Sequence, residues 1–180
     1  MGYPLLRTDK EIAELYETYV DMVYRLCFTI LKNRFDTEDA VQNTFIKLMH
    51  YSKPFDSPEH EKAWLIVTAS NTCKDALRRA SRRDEPLELR PDLPAPASAD
   101  PAGNTVLDAV LALPLKYRAP VYLYYYEGYS GAEIADMLHK PAYTIRSYLS
   151  KARQELKKQI GGDFDAHAAK RLFDNKILGR

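Results

Sequence analysis

Apolar residues recur at steps of three and four along most of this chain, the period of helices buried along one side. Ile12, Leu15, Tyr16, Tyr19, Val20, Val23, Leu26, Cys27 and Ile30 form one unbroken stripe, which predicts a long amphipathic helix over residues 9 to 32. Asn33, Arg34 and Phe35 interrupt it. Asp36 then suits an N-cap, with Glu38 and Asp39 placing acids in the positively polarised first turn. Val41, Phe45, Leu48 and Met49 mark the buried side of this second helix. Pro54 and Pro58 bracket a loop, and a third helix is expected from Glu59 to Arg83. Strand-like alternation is nowhere evident, so the chain is expected to be all-α.

The pattern stops between Glu85 and Asn104, where five prolines are interleaved with Ala, Ser and Asp. Such a segment cannot build a core and reads as a semi-extended linker between two small helical domains. The expected division is residues 1–84, a Pro/Ala-rich linker over 85–105, a second domain over 106–160, and a tail over 161–180. Asn104 or Thr105 is expected to cap a short helix ending near Leu113. The next helix, from about Pro114, contains Pro120, which should bend or divide it, and ends at Gly128. In the tail, Ala169, Leu172, Phe173 and Ile177 fall at helical steps and are expected to dock on the body or on a partner.

Residues 130 to 158, SGAEIADMLHKPAYTIRSYLSKARQELKK, read as two helices joined by a very tight turn. Ser130 and Glu133 have capping-box spacing. Ile134, Ala135 and Leu138 supply one buried side, and Ile145, Leu149, Ala152 and Leu156 the other. Pro141 cannot continue the first helix but suits the first turn of the second. This is the layout of a helix-turn-helix, whose second helix enters the major groove. Thr144, Arg146, Ser147, Ser150 and Lys151 fall away from the apolar stripe, and short polar groups beside long basic ones suit base edges and phosphates. The plainer reading is a helical hairpin with a solvated basic face. The turn carries His139 where glycine is usual and Lys140 where an apolar residue is common.

Trp64, Val67, Asn71, Lys74 and Arg78 share a side of the third helix opposite Leu65, Ile66, Ala69, Cys73, Ala76 and Leu77, at 100° per residue. Arg79, Arg82 and Arg83 extend its charge. Aromatic and basic side chains together can hold unstacked bases and a single strand. The competing reading is that Trp64 packs under a neighbouring helix and the arginines are solvated. Tyr122, Tyr124, Tyr125 and Tyr126 could likewise stack on bases, although Tyr commonly fills half-buried helix faces.

Charge distribution adds what the net charge hides. The formal charge is +1 overall, but residues 1–84 are neutral, 85–105 carry minus three and 106–180 plus four. The two cysteines, Cys27 and Cys73, sit inside apolar patterns and read as buried free thiols. The four histidines lie far apart, and no metal-ligand spacing, Gly-rich phosphate loop or nucleophile motif is evident. No cofactor, metal site or enzymatic activity is expected. Neither a signal segment nor a membrane-spanning run is evident, so a cytoplasmic protein without membrane insertion is expected.

Three segments in this order resemble bacterial sigma factors of the sigma-70 superfamily, in the extracytoplasmic-function (ECF) group. FDTEDAVQNTFIKL (residues 35–48) is similar to the family's acidic helix that binds the clamp of core RNA polymerase. AWLIVTASNTCKDALRRASRR (63–83) is similar to the helix that recognises and melts the minus-ten element, and residues 113–156 to the domain that binds the minus-thirty-five element. The resemblance implies a second domain of winged-helix-like or homeodomain-like kind. It also implies a chain that directs promoter recognition, DNA melting and transcription initiation at a specific regulon. By position, Asp36, Glu38, Asp39, Gln42 and Phe45 would face polymerase. Trp64, Asn71, Lys74 and Arg78 would face the minus-ten strand, and Thr144, Arg146, Ser147, Ser150 and Lys151 the minus-thirty-five element. Asn43 stands where the family often has an acid. Core RNA polymerase and promoter DNA are the implied partners, with an anti-sigma factor as a further candidate. The alternatives are a polymerase-independent helix-turn-helix regulator and a sigma-like interaction module without a DNA role.

Overall fold

The computed structural model describes residues 7–82 and 101–160, and these are helical with no strand. Arg83, the rest of the linker up to residue 100 and the tail lie outside the described residues. The chain divides into two compact units, Met1–Pro91 and Asp92–Arg180.

The first unit holds α1 (Asp9–Leu31), α2 (Arg34–Met49) and α3 (Pro58–Arg82), each packed on the other two. Thr8 opens α1 with a full capping box: its hydroxyl accepts from the Glu11 N–H (3.3 Å) and its own N–H donates to Glu11 Oε2 (2.7 Å). Only Lys32, in the left-handed region at φ 65°, and Asn33 separate α1 from α2. Asn33, not Asp36, caps α2. Its Oδ1 accepts from the Asp36 N–H (2.8 Å) while its Nδ2 donates to Asp36 Oδ2 (2.7 Å). Asn accepts and donates at once, so it outcompetes an aspartate three residues on, which becomes its reciprocal partner.

Leu26, Cys27, Leu48, Leu65, Ile66, Ala69 and Cys73 are fully buried where the three helices meet. Each large aliphatic there contributes about 1.5–3 kcal/mol by leaving water. The Cys27 and Cys73 thiols are hydrogen-bond partners, and that contact together with burial pushes the Cys27 thiol well above its ordinary pKa. Both are free cysteines, as the apolar setting suggested.

The second unit holds α4 (Pro101–Ala112), α5 (Leu115–Val121), α6 (Gly131–Leu138) and α7 (Ala142–Ile160). Residues 101–105, assigned to the linker by composition, begin α4 instead, and Asn104 and Thr105 lie inside it rather than capping it. A proline is compatible with a first helical turn, so Pro101 does not block this start. Pro120 does not divide its helix but lies inside α5, and two residues on, Tyr122–Tyr126 forms a π-helical turn, with the Glu127 N–H donating to the Tyr122 carbonyl (3.3 Å). Tyr122 and Tyr126 are buried and stacked 5.1 Å apart, whereas Tyr124 is exposed. Gly128, at φ +78°, ends the turn; a Cβ there would meet nothing, so the backbone angle alone calls for glycine.

The α6–α7 hairpin follows the sequence pattern closely. Ser130 and Glu133 form the capping box, with the Ser130 N–H donating to Glu133 Oε2 (2.8 Å). His139 takes the left-handed conformation at φ 52° that glycine usually supplies, at a cost of about 1–2 kcal/mol. Ile134, Ala135 and Leu138 of α6 are buried, as are Ile145, Leu149, Ala152 and Leu156 of α7.

Opposite effects are expected at two adjacent positions. Ser130→Ala should destabilise the second unit by about 1 kcal/mol. Gly131→Ala should not, because its Cβ would meet only the Ile145 side chain at 4.0 Å and its φ is ordinary. The Ser130 hydroxyl and N–H hold the Glu133 carboxyl below its usual pKa, so its contribution is present at neutral pH and is lost as pH falls through the lowered value. Thermal unfolding of the two variants against pH checks both signs: the deficit of Ser130→Ala should narrow in acid.

Candidate functional site

Three surfaces carry the candidate residues, two on the first unit and one on the second. On α7 the buried stripe leaves Arg146, Ser147, Ser150 and Lys151 exposed on the other side and Thr144 half-buried. Neither Arg146 nor Lys151 has an ion-pair partner among the described residues, so both charges are available to a ligand. By contrast Lys158 pairs with Glu155 (3.1 Å) and the Arg153 Nε turns back to the Leu149 carbonyl (3.4 Å). Two residues, Tyr143 and Lys116, escaped the sequence reading. Tyr143, on the first turn of α7, is 70% exposed. Lys116 of α5 and Lys140 of the turn both lie over the Tyr148 ring, at 5.9 and 6.0 Å from its centre. Tyr143 was legible as an apolar residue off the stripe, whereas the approach of Lys116 to α7 depends on tertiary packing.

On α3, Asn71 and Arg78 are exposed and Trp64 and Lys74 half-buried. Trp64 packs against the loop that joins α2 to α3: its ring lies 4.6 Å from that of Tyr51 and 5.8 Å from that of Phe55. Its edge is therefore set by an aromatic cluster. Lys74 Nζ reaches the Asn71 Oδ1 at 3.5 Å, and Arg78 pairs with Asp75 at 3.4 Å. Asp75 lies on the same side of α3 and was missed in the sequence; exposed pairs of this kind contribute about 0–1 kcal/mol and exchange readily for a phosphate.

The third surface is a groove between α1 and α2. Tyr16, Val20, Val41, Phe45 and Met49 line it, with Glu38, Asp39 and Gln42 also lining it. Phe45 is only 5% exposed and packs on Tyr16 with ring centres 4.8 Å apart, so it forms the floor of this groove, on the buried side that the helical stripe assigns to it. The large apolar groups of this surface that face outward are Phe35, 72% exposed, Tyr16, 46% exposed, and Ile46, 43% exposed. Ile46 lies off the Val41–Phe45–Leu48 stripe, which was a usable signal; Phe35 was hidden in the interruption between helices. The acids differ too. Asp36 is held by Asn33, and Glu38 accepts from the Arg34 Nε at 2.7 Å, which raises the Arg34 pKa. Asp39 is exposed and has no cationic partner among the described residues, which leaves it the freest carboxylate of the three.

Among the described residues no cluster of His, Cys, Asp and Glu could hold a metal ion, and no helix is long and apolar enough to cross a membrane.

Known proteins match both parts of the chain. A family model described as Sigma-70 region 2 matches residues 15–83, and one described as Sigma-70, region 4 matches residues 104–156, about two thirds of the chain between them. The chain belongs to the sigma-70 family. Similar curated proteins narrow the group. The ECF RNA polymerase sigma factor SigW of Bacillus subtilis is 28% identical over 164 residues, covering 82% of this chain and 88% of that protein. The ECF RNA polymerase sigma factor SigE of Mycolicibacterium smegmatis is 31% identical over 153 residues, covering 80% of this chain and 59% of that one. The family member in hand is thus of the ECF type. Among solved structures, the sigma factor RpoE in its co-crystal with the anti-sigma factor NepR from Bartonella quintana aligns with a TM-score of 0.68. At 20% identity it covers 86% of this chain and 99% of that one, which supports the fold.

The burial difference within α2 gives a direct test. Phe45→Ala should destabilise the first unit by about 3–5 kcal/mol, the usual cost of emptying a buried aromatic site. Ile46→Ser should change stability by no more than about 0.5 kcal/mol. Chemical denaturation of both variants measures this, and equal losses would contradict the placement of Phe45 in the core.

Proposed function

We propose that this sigma factor recruits core RNA polymerase through the α1–α2 groove, opens the minus-ten element with the α3 face, and reads the minus-thirty-five element with α7. The observation that carries the reading is that the first unit offers an acidic, apolar groove and a separate aromatic, amide and basic face. A stand-alone helix-turn-helix regulator would need neither. Asp39, Glu38 and Gln42, flanked by Phe35 and Ile46, supply charge and apolar area toward polymerase. Asn71 offers a donor and an acceptor to an extruded base, Trp64 an aromatic edge, and Lys74 and Arg78 hold phosphates. Arg146 and the α7 hydroxyls address base edges, while Lys151 holds backbone.

The chain acts as a specificity factor and not as a catalyst; bond formation belongs to polymerase. Its place of work is the cytoplasm, with polymerase and promoter DNA. Residues 1–84 form the core- and minus-ten-binding domain and the helices from residue 101 the upstream-binding domain. The two promoter elements are separated along the duplex, and the proline-rich composition between the two domains suits the connection they need. An anti-sigma protein is a further proposed partner, by analogy with the RpoE co-crystal.

Opening the duplex is the step that distinguishes this activity from ordinary DNA binding. Unstacking a base costs a few kcal/mol, which the α3 face must offset. Replacing Asn71 and Lys74 together with Ala should leave closed complexes nearly intact, because α7 still grips upstream DNA. Permanganate reactivity of minus-ten thymines should fall strongly, and a template already mismatched there should recover much of the activity. Normal melting by the double variant, or no recovery on the mismatched template, would show that the role lies elsewhere.

A further inference from the structure

Arg7 lies outside the part of the chain that the region 2 family model matches. It precedes the N-cap of α1, and its side chain crosses to the loop between α2 and α3. One guanidinium nitrogen donates to the Tyr51 carbonyl and the other to the Lys53 carbonyl, the latter at 2.9 Å. The guanidinium carbon sits 4.7 Å from the centre of the Phe55 ring and 5.6 Å from that of Tyr51. One planar cation therefore forks across two backbone oxygens and stacks on two aromatic rings, a combination lysine cannot reproduce.

The two ends of this loop are held differently. At its far end Ser57 caps α3, its hydroxyl accepting from the His60 N–H at 3.1 Å. The near end and middle meet Arg7. The rings that Arg7 covers, Tyr51 and Phe55, are stacked on each other (5.2 Å) and are the same rings that hold Trp64. Arg7 is itself fixed by the Thr8–Glu11 capping box one residue away. A continuous set of contacts thus runs from the start of α1, through the loop, to the α3 face.

We propose that Arg7 is a positioning residue for promoter opening: by fixing the 51–57 loop it presets Tyr51, Phe55 and Trp64 in the arrangement that receives the separated strand. This rests on the reading that the α3 face performs the opening. Without Arg7 the loop must be ordered as the strand arrives, and that entropy is added to the barrier for opening. The groove toward polymerase, between α1 and α2, does not include Arg7.

Trp64 is the only tryptophan of the chain, so its fluorescence reports on this cluster without any transcription assay. The test uses the full chain with Arg7→Ala and Arg7→Lys, the second keeping the charge while losing the fork. Both should make Trp64 more accessible to acrylamide quenching, with helical circular dichroism and affinity for core polymerase unchanged. Duplex opening by the holoenzyme should slow on the order of tenfold, the usual effect of losing a charge-assisted hydrogen bond, and recover on a template mismatched across the minus-ten element. Unchanged quenching, wild-type opening rates, or an equal loss of core affinity would each overturn the proposal. The Asn71/Lys74 double variant run in parallel separates the two levels. If it opens duplex normally while the Arg7 variants still alter quenching, the α3 assignment is wrong and the role of Arg7 in opening falls with it. If it is defective and the Arg7 variants open normally, only the inference about Arg7 fails.

Discussion

A helix in a small bundle can present a functional face only if its rotation about its own axis is fixed, and burial of an apolar stripe is what fixes it. In α3, Leu65, Ile66, Ala69 and Cys73 have no exposed surface, so turning the helix by one residue would put a methyl-rich edge in water and an amide or cation in the core. That penalty amounts to several kcal/mol, far more than any surface ion pair contributes. The orientation of Asn71, Lys74 and Arg78 follows from it. The same logic holds for α7, where Ile145, Leu149, Ala152 and Leu156 oblige Arg146, Ser147, Ser150 and Lys151 to point outward.

The charge distribution then suits a protein that binds DNA as part of a larger assembly. A nearly neutral chain attracts duplex DNA weakly at long range, because counterion release scales with the number of phosphates neutralised. Its basic groups are instead local: Arg146 and Lys151 on α7, Lys116 and Lys140 around Tyr148, and Lys74 with Arg78 on α3. The acids Asp39 and Glu38 lie on a different helix from the α3 bases, so attraction to a basic protein surface and to phosphates need not compete. Recruitment by polymerase supplies the concentration that free binding to DNA lacks.

Much of this was legible because helical periodicity is a local signal. The stripes of α1, α3 and α7 and the Ser130–Glu133 capping box all emerge from residues within a few positions of one another. What stayed hidden depends on competition or on distant contacts. Asn33 displaced Asp36 as a cap because its amide can both accept and donate. The stripe placed Phe45 on the buried side of α2, but that it meets Tyr16 of α1 at the floor of a groove depends on packing between helices. The cluster of Arg7, Tyr51, Phe55 and Trp64 joins segments more than forty residues apart, with Arg7 and Lys53 separated by 46 positions, beyond the reach of any local pattern.

The most direct measurement is runoff transcription by the purified chain with core RNA polymerase over a library of templates randomised upstream of a fixed transcribed region. Transcripts should appear only when both proteins are present, and the active templates should share two separated motifs at constant spacing, one near minus ten and one near minus thirty-five. Transcripts that do not depend on the chain, or selection of a single motif bound equally well without polymerase, would contradict the account and point to a free-standing helix-turn-helix regulator.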